Sequence, residues 1–189
     1  MAFEELDVAT AHARLAELQP VDVRAEHELR GPLGRVPGSR LIPLSELEAR
    51  AQELPTDRPL LLVCRSGQRS GKACETLSRL GLGPVLNLRG GMIAWCRAQL
   101  PVERSAPGSL TELLELILAW FVQVGPLTAD AARKVFAERL ERPVSSFDAP
   151  SHAALEKLLD FVEESLTRAG APPDLDLSLP SFRRSLAAL

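Results

Sequence analysis

The sequence predicts an α/β domain built on a parallel β-sheet, followed by an all-α helical region. Residues 60–63 are wholly apolar and of strand length, as is typical of a strand in the middle of a parallel sheet. Strand-like and helix-like segments alternate up to about residue 99, which favours a parallel sheet flanked by helices on both faces. Beyond residue 105 only helical patterns recur. We therefore expect one domain over residues 1–104 and a helical bundle over residues 105–189.

The first third of the chain predicts short elements separated by turn residues. The apolar spacing predicts a helix over residues 4–18, ended by Pro20, and a short strand over 21–23. Glycine, proline and charged residues predict a loop over 25–40. A second short strand is expected at 41–42, and Ser45 is the expected N-cap of a helix over 46–53.

The middle of the chain gives the clearest pattern. The strand at 60–63 is followed by a helix over about 69–80, whose apolar face includes Cys74 and Leu77. A buried strand is expected at 85–88, and a helix at 92–99 that ends before Pro101.

Three polar residues are predicted to cap the helices of the C-terminal region. Ser109 and Glu112 form a capping box for a helix to about Val124. Thr128 begins a second helix to about Glu141, before Pro143, and Ser151 begins a third, from there to Ala169. Residues 171–180 are expected to be extended, with a short helix after them. The first of these helices is apolar on nearly all sides, so other helices, the first domain or a second chain must cover it.

Composition narrows the class of protein. Hydrophobic residues make up 46% and charged residues 25%, as in an ordinary globular protein. The net charge of −3 argues against a nucleic-acid partner. The N-terminus is acidic and no apolar run reaches bilayer length, so we expect neither a secretory signal nor a membrane span. Three cysteines in no metal-binding spacing favour free thiols and a cytoplasmic protein.

The turn after the strand at 60–63 carries the candidate chemistry. It reads Cys64-Arg65-Ser66-Gly67-Gln68-Arg69-Ser70 and leads straight into a helix. Unpaired backbone N–H groups at such a helix start form a cradle for an anion. A thiol placed there, with Arg65 and Arg69 beside it, is expected to be largely thiolate and to attract anionic substrates.

Four motifs in order resemble rhodanese-type sulfurtransferases over about residues 3–104. Asp22-Val23-Arg24 resembles the family's first core strand, and residues 34–44 resemble its Gly-His-Ile-Pro-Gly-Ala segment, with Arg35 where histidine is usual. Residues 64–70 resemble the active-site loop. Residues 90–95, Gly-Gly-Met-Ile-Ala-Trp, resemble the C-terminal signature.

The resemblance implies a two-step sulfur transfer through a persulfide on Cys64. A small anionic donor such as thiosulfate gives up its sulfane sulfur, and cyanide or a thiol accepts it. The implied donor-binding residues form the loop itself, with Asp22 and Arg24 bracing it: Arg65, Ser66, Gly67, Gln68, Arg69 and Ser70. No cofactor is implied. No metal is expected, since the three histidines lie away from the cysteines in the sequence.

Loop length separates this interpretation from its rivals. Related dual-specificity phosphatases and arsenate reductases place five residues between cysteine and arginine, whereas four separate Cys64 from Arg69. A second interpretation is a persulfide carrier or interaction module that passes sulfur to a protein partner. Residues 109–189 are then the expected surface for a protein acceptor or for homodimerisation. The sequence leaves open whether Cys96 has a redox role.

Overall fold

The computed structural model describes residues 3–140 and 150–189. The chain divides into two compact units, one of residues 1–29 and 33–104, the other of residues 30–32 and 105–189. Among the described residues, no helix is both long enough and apolar enough to cross a lipid bilayer.

The first unit contains a five-stranded sheet in which every neighbouring pair is parallel. Its strands are β1 (Glu4–Leu6), β2 (Gln19–Asp22), β3 (Arg40–Leu41), β4 (Leu60–Val63) and β5 (Val85–Leu88). Their order across the sheet is β1-β5-β4-β2-β3. Leu62 of β4 lies opposite Val21 on one side and Asn87 on the other. All four residues of β4 are buried, which confirms the prediction of a central parallel strand.

The helices of this unit are α1 (Val8–Ala13), α2 (Glu26–Leu29), α3 (Gln68–Arg79) and α4 (Gly91–Arg97). The buried face of α3 packs on one face of the sheet through Ala73, Cys74 and Leu77, against Leu60 and Leu62. This packing places the start of α3 at the carboxyl end of β4, where the loop with Cys64 lies.

Three expectations for the first unit were wrong. Residues 4–18 are not one helix, because Glu4–Leu6 pairs with β5 as an edge strand and Asp7 then caps α1 by accepting from the backbone of Thr10 at 2.9 Å. The expected loop at 25–40 contains α2. Turns and a short 3-10 helix at Ala51–Glu53 replace the expected helix at 46–53.

The second unit contains α5 (Leu110–Val124), α6 (Ala129–Arg139), α7 (His152–Arg168) and α8 (Leu175–Ala187). The hydroxyls of Ser109, Thr128 and Ser151 accept from the backbone of Glu112, Ala131 and Ala154, which confirms the three predicted caps. The expected end of the second helix at Glu141, before Pro143, lies outside the described residues.

One apolar cluster joins all four of these helices, so α5 is covered within its own unit. The cluster includes Trp120 and Phe121 of α5, Phe136 of α6, Leu158 of α7 and Phe182 of α8. The expected extended segment at 171–180 was wrong, since α8 begins at Leu175 with Pro180 inside it. A proline there removes one helical hydrogen bond. Burial of Leu179, Phe182 and Leu186 on the same helix offsets that loss.

Each unit contains one tryptophan with a hydrogen-bonded indole. The Trp95 indole donates to the carbonyl of Pro101 at 2.8 Å, and Trp95 has no exposed surface. The Trp120 indole donates to the carboxylate of Asp174 at 3.3 Å in the interior of the helical unit.

Candidate active site

Cys64 lies directly after β4, at the floor of the turn that leads into α3. Only 1% of its surface is exposed. The Gly67 N–H donates to its Sγ at 3.1 Å, and the Ser70 hydroxyl lies 3.3 Å from the same sulfur. Two donors therefore converge on the sulfur, an arrangement that stabilises negative charge on it.

Gly67 adopts a conformation that other residues rarely adopt. It is the N-cap of α3 with φ +93°, and no side chain caps the first turn of that helix. A Cβ atom at this position would lie 3.1 Å from the nitrogen of Gly90 and 3.3 Å from the oxygen of Leu88. Glycine thus lets the turn pack closely against the end of β5 while its own N–H faces the sulfur.

The start of α4 fixes the backbone of the loop. The N–H of Met92 donates to the Cys64 carbonyl at 2.9 Å, and the N–H of Ile93 donates to the Arg65 carbonyl at 3.1 Å. In a trans peptide the carbonyl and the next N–H point in opposite directions. The N–H groups of Arg65 and Ser66 therefore point away from α4.

Gly91 allows this close approach. A Cβ atom on it would lie 2.7 Å from the carbonyl carbon and oxygen of Arg65, and its φ is +56°. The Gly-Gly pair singled out in the sequence is therefore a backbone contact of the Cys64 loop.

Arg69 is held from outside the loop. Its guanidinium donates to both carboxylate oxygens of Glu28 on α2, at 2.6 and 2.8 Å. The Glu28 side chain is 6% exposed and that of Arg69 is 36% exposed. The hydrogen bonds that Arg69 donates to Glu28 raise the pKa of Arg69, so the residue stays cationic. Its charge is nevertheless partly balanced by Glu28, which sequence reasoning did not single out.

Asp22 and Arg24 form a buried ion pair behind the loop. Arg24 is 1% exposed and Asp22 is not exposed at all. The Arg24 side chain donates to Asp22 Oδ2 at 2.6 Å and to the Gly34 carbonyl at 2.7 Å. The pair ties the end of β2 to the segment around Gly34 and lies away from solvent.

The remaining loop residues differ in exposure. Ser66 and Gln68 are exposed, Arg65 is half-buried and Ser70 is buried. The structure therefore brings Cys64, Gly67 and Ser70 together, and leaves Ser66 and Gln68 at the outer side of the turn.

Asn87 is a residue of this site that the sequence pattern did not reveal. The sequence predicts it only as part of the buried strand at 85–88, yet its amide donates to the Gly67 carbonyl at 3.1 Å. A polar residue inside an otherwise apolar strand was the signal available in the sequence.

The two other cysteines have different surroundings. Cys74 is fully buried on α3, and burial raises the pKa of its thiol to about 12. Cys96 is half-buried, and its thiol donates to the Leu33 carbonyl at 3.4 Å. Over residues 3–140 and 150–189, no cluster of His, Cys, Asp and Glu forms a metal site.

Comparison with known proteins agrees with the geometry of the first unit. The family model described as a rhodanese-like domain matches residues 7–98, so the helical region lies beyond it. A sulfurtransferase of Allochromatium vinosum is 41% identical over 101 residues, which cover 52% of this chain and 92% of that protein.

A solved structure and a shorter match extend the comparison. A rhodanese-related protein from Thermoplasma volcanium superimposes with a TM-score of 0.51 at 30% identity, over 55% of this chain and 100% of that one. The "Putative sulfur carrier protein YrkF" of Bacillus subtilis is 37% identical over 78 residues, which cover 41% of each chain. The parallel sheet, the Cys64 turn and these similarities together show that the chain belongs to the rhodanese-like domain family of sulfurtransferases.

Proposed function

We propose that the protein moves sulfane sulfur from thiosulfate or a related small anionic donor to cyanide or a thiol. The observation that carries this proposal is the pair of donors on Cys64 Sγ, the Gly67 N–H at 3.1 Å and the Ser70 hydroxyl at 3.3 Å. A thiolate so held is a nucleophile, and a persulfide formed on it has its charge on the outer sulfur.

In the first step the Cys64 thiolate attacks the outer sulfur of thiosulfate. A sulfur–sulfur bond forms to Cys64, the bond between the two donor sulfurs breaks, and sulfite leaves with that electron pair. Cys64 becomes a persulfide anion. N–H groups of the loop stabilise that anion, as an oxyanion hole stabilises oxygen.

In the second step an acceptor nucleophile attacks the outer sulfur of the persulfide. With cyanide the product is thiocyanate, and the electron pair of the broken sulfur–sulfur bond returns to Cys64 as thiolate. No redox cofactor is needed, because the two steps balance. With a thiol as the acceptor, the product is a persulfide of that thiol, and Cys64 again returns to the thiolate.

The residues on the outer side of the loop bind the donor. Arg65, Ser66, Gln68 and Arg69 line the turn around Cys64, and the two arginines supply charge for an anion. Arg69 reaches the donor while one side of its guanidinium stays on Glu28. Since Cys64 is 1% exposed, the proposal favours a donor with a small terminal sulfur over a bulky one.

The same geometry argues against phosphate or arsenate as substrate. Four residues separate Cys64 from Arg69. A phosphoryl or arsenyl group bonded to the cysteine sulfur carries its oxygens into the turn and needs a wider ring of N–H groups around it. The persulfide brings only one sulfur atom into the turn, which suits the shorter loop.

The alternative function is a persulfide carrier that delivers sulfur to, or senses it for, a protein partner. The similarity to a protein named as a sulfur carrier supports it. The helices α5 to α8 support it too, because the family model ends at residue 98 and does not include them. Residues 109–189 are then the surface for a protein acceptor or a second copy of the chain. All three thiols are free, which favours a reducing compartment such as the cytoplasm.

The test measures thiocyanate formation from thiosulfate and cyanide for wild type and for Cys64→Ser. Intact mass is measured in parallel after treatment with thiosulfate alone. The matched control is Cys96→Ser, which removes a half-buried thiol outside the loop. We expect turnover and a gain of about 32 Da, one sulfur atom, in wild type and in Cys96→Ser and neither in Cys64→Ser.

Other outcomes separate the two functions. A gain of one sulfur without turnover would support the carrier. Neither turnover nor added sulfur would exclude thiosulfate as donor. Added sulfur that survives in Cys64→Ser but not in Cys96→Ser would move the reaction to Cys96.

A further inference from the structure

Asn87 is the only polar residue of β5, and it lies next to the reactive loop. It is 3% exposed, in a strand whose other residues are Val85, Leu86 and Leu88. It pairs in register with Glu5 of β1 on one side and with Leu62 of β4 on the other. A buried amide costs free energy unless its hydrogen bonds are satisfied, so its presence here needs a reason.

The amide nitrogen of Asn87 makes two hydrogen bonds in two directions. Nδ2 donates to Glu5 Oε1 at 2.8 Å and to the carbonyl of Gly67 at 3.1 Å. With the amide turned over, Oδ1 would face the Glu5 carboxylate and the Gly67 carbonyl, which are both acceptors. The assignment of Nδ2 to this side is therefore unambiguous. Oδ1 is buried, and no hydrogen-bond partner for it occurs among the described residues. The side chain thus keeps an unsatisfied oxygen while using both of its N–H donors.

These contacts act on the residue that donates to the sulfur. The Gly67 carbonyl also accepts from the N–H of Gly71 at 3.0 Å, and the Ser70 hydroxyl lies 3.2 Å from it. The N–H of Gly67 meanwhile donates to Cys64 Sγ at 3.1 Å. Glycine has a wide range of backbone angles, so its N–H direction depends on what holds its carbonyl.

We propose that Glu5 and Asn87 are a positioning pair for sulfur transfer: Glu5 orients the Asn87 amide, and Asn87 fixes Gly67 so that its N–H points at the sulfur of Cys64. Neither residue touches that sulfur. The inference rests on the proposed function for its effect on turnover. Its effect on the reactivity of Cys64 does not depend on which donor the protein uses.

Asparagine suits this position better than its near relatives. Aspartate has the same shape but no N–H, and it would face the Glu5 carboxylate with a like charge. Leucine has a similar volume and needs no hydrogen bond, so it fits the apolar strand. Asn87 costs stability because its Oδ1 is unpaired. Its benefit is the pair of hydrogen bonds that its amide N–H groups donate to Glu5 and Gly67.

The first test is Asn87→Leu in the full chain, carried in a Cys96→Ser background so that Cys64 is the reporting thiol. The rate of Cys64 alkylation by iodoacetamide is followed by intact mass from pH 5 to 9. We expect stability to be unchanged or raised, and alkylation at pH 7 to slow by about threefold to tenfold, the range for one lost hydrogen bond. Thiocyanate turnover should fall by a similar factor in kcat with little change in KM. The control Leu86→Val perturbs packing in the same strand and should leave the pH profile in place.

The second test uses the sign of a charge effect. Glu5→Ala removes a carboxylate, and simple electrostatics predicts a faster Cys64 reaction without it. The positioning pair predicts a slower one, because the Asn87 amide loses its anchor. Glu5→Gln keeps an acceptor oxygen and should restore most of the rate. Glu4→Ala, an exposed neighbour on β1, is the control for removing a charge from that strand.

The outcomes are distinct. Slower alkylation of Cys64 in both Asn87→Leu and Glu5→Ala supports the positioning pair. This holds even if the wild-type protein transfers no sulfur from any donor, a result that would overturn the proposed function but not the pair. A folded Asn87→Leu with the wild-type pH profile would overturn the inference. Faster alkylation in Glu5→Ala would also overturn it. Should Asn87→Leu not fold, the comparison of Glu5→Ala with Glu5→Gln decides.

Discussion

Glu28 and Arg69 are 41 residues apart in sequence and joined by a two-point ion pair, with N–O distances of 2.6 and 2.8 Å. Glu28 lies on the short helix α2, and Arg69 lies in the first turn of α3. The guanidinium of Arg69 is therefore already paired with a carboxylate. Under the proposed function, the selectivity for the donor then depends on this carboxylate, which lies outside the loop.

The first prediction follows from that pairing. Glu28→Gln keeps one acceptor for Arg69 and removes the charge, so the loop becomes more cationic. Thiosulfate is a dianion, so we expect its KM to fall by about twofold to fivefold. This factor corresponds to a gain of about 0.5 to 1 kcal/mol in binding free energy, the range for a partly exposed ion pair. Steady-state thiocyanate formation measures it, and Glu26→Gln on the same helix is the control. A tenfold rise in KM would instead mean that Glu28 is needed to place Arg69.

The second prediction concerns Gly91. A side chain there would lie 2.7 Å from the Arg65 carbonyl group, at a φ of +56°. We expect Gly91→Ala to move the loop and to lower kcat/KM by at least tenfold, with about 1–3 kcal/mol lost from the free energy of unfolding. Gly38→Ala is a matched control, since its φ is +72° but nothing lies within 4 Å of its Cβ position. Equal losses in both variants would show that backbone strain alone, not contact with the loop, explains the effect.

The third prediction concerns the buried pair of Asp22 and Arg24. Asp22→Asn leaves the Arg24 guanidinium, 1% exposed, without its counterion. We expect the free energy of unfolding to fall by about 3–5 kcal/mol in urea denaturation. Asp57→Asn is the control: it breaks the exposed ion pair with Arg58 and should change the free energy of unfolding by less than about 0.5 kcal/mol. Similar values for the two variants would contradict the structural role of the buried pair.

The fourth prediction concerns pH and Cys74. Burial raises the pKa of this thiol to about 12, whereas the pKa of a cysteine thiol in the unfolded chain is about 8.5. Between these values the folded state holds a proton that the unfolded state releases. The stabilisation is therefore complete below about pH 8.5 and is lost as pH rises toward 12, by up to about 1.4 kcal/mol per pH unit.

The check is urea denaturation from pH 8 to 10.5 for wild type, Cys74→Ala and Cys96→Ala. The chain has no tyrosine and three lysines, so few other groups titrate there. Cys74→Ala should flatten the decline and Cys96→Ala should not. An identical slope in wild type and Cys74→Ala would show that Cys74 does not titrate as described.

Local patterns predicted the elements that depend on local residues. The apolar run at 60–63, the glycines at 67 and 90–91, and the caps Ser109, Thr128 and Ser151 each signal their structure within a few positions. The parallel sheet followed from such signals and the rhodanese-like family from the resemblance of four motifs, and both are confirmed. The elements that were wrong depend on distant partners. Residues 4–6 form a strand because β5 is beside them, and Pro180 is helical because its neighbours Leu179 and Phe182 are buried.

The same limit applies to the candidate site. The position of Cys64 in a turn before a helix was predicted from adjacent residues, and its catalytic role stays a prediction. Glu28 and Asn87 were missed because their partners lie 41 and 20 positions away. One helix end carries Glu28 and one strand carries Asn87, and neither element shows a periodic signal for contact with the loop.

The two tryptophans give the molecule a pair of built-in optical reporters. With no tyrosine in the chain, ultraviolet emission comes almost entirely from Trp95 in the first unit and Trp120 in the helical one. Each indole is bonded to a different acceptor, a backbone carbonyl for Trp95 and a carboxylate for Trp120. Replacing either with phenylalanine leaves a single fluorophore, so two single-tryptophan variants of the full chain record the unfolding of the parallel-sheet unit and of the helical unit separately, each as a shift in emission wavelength.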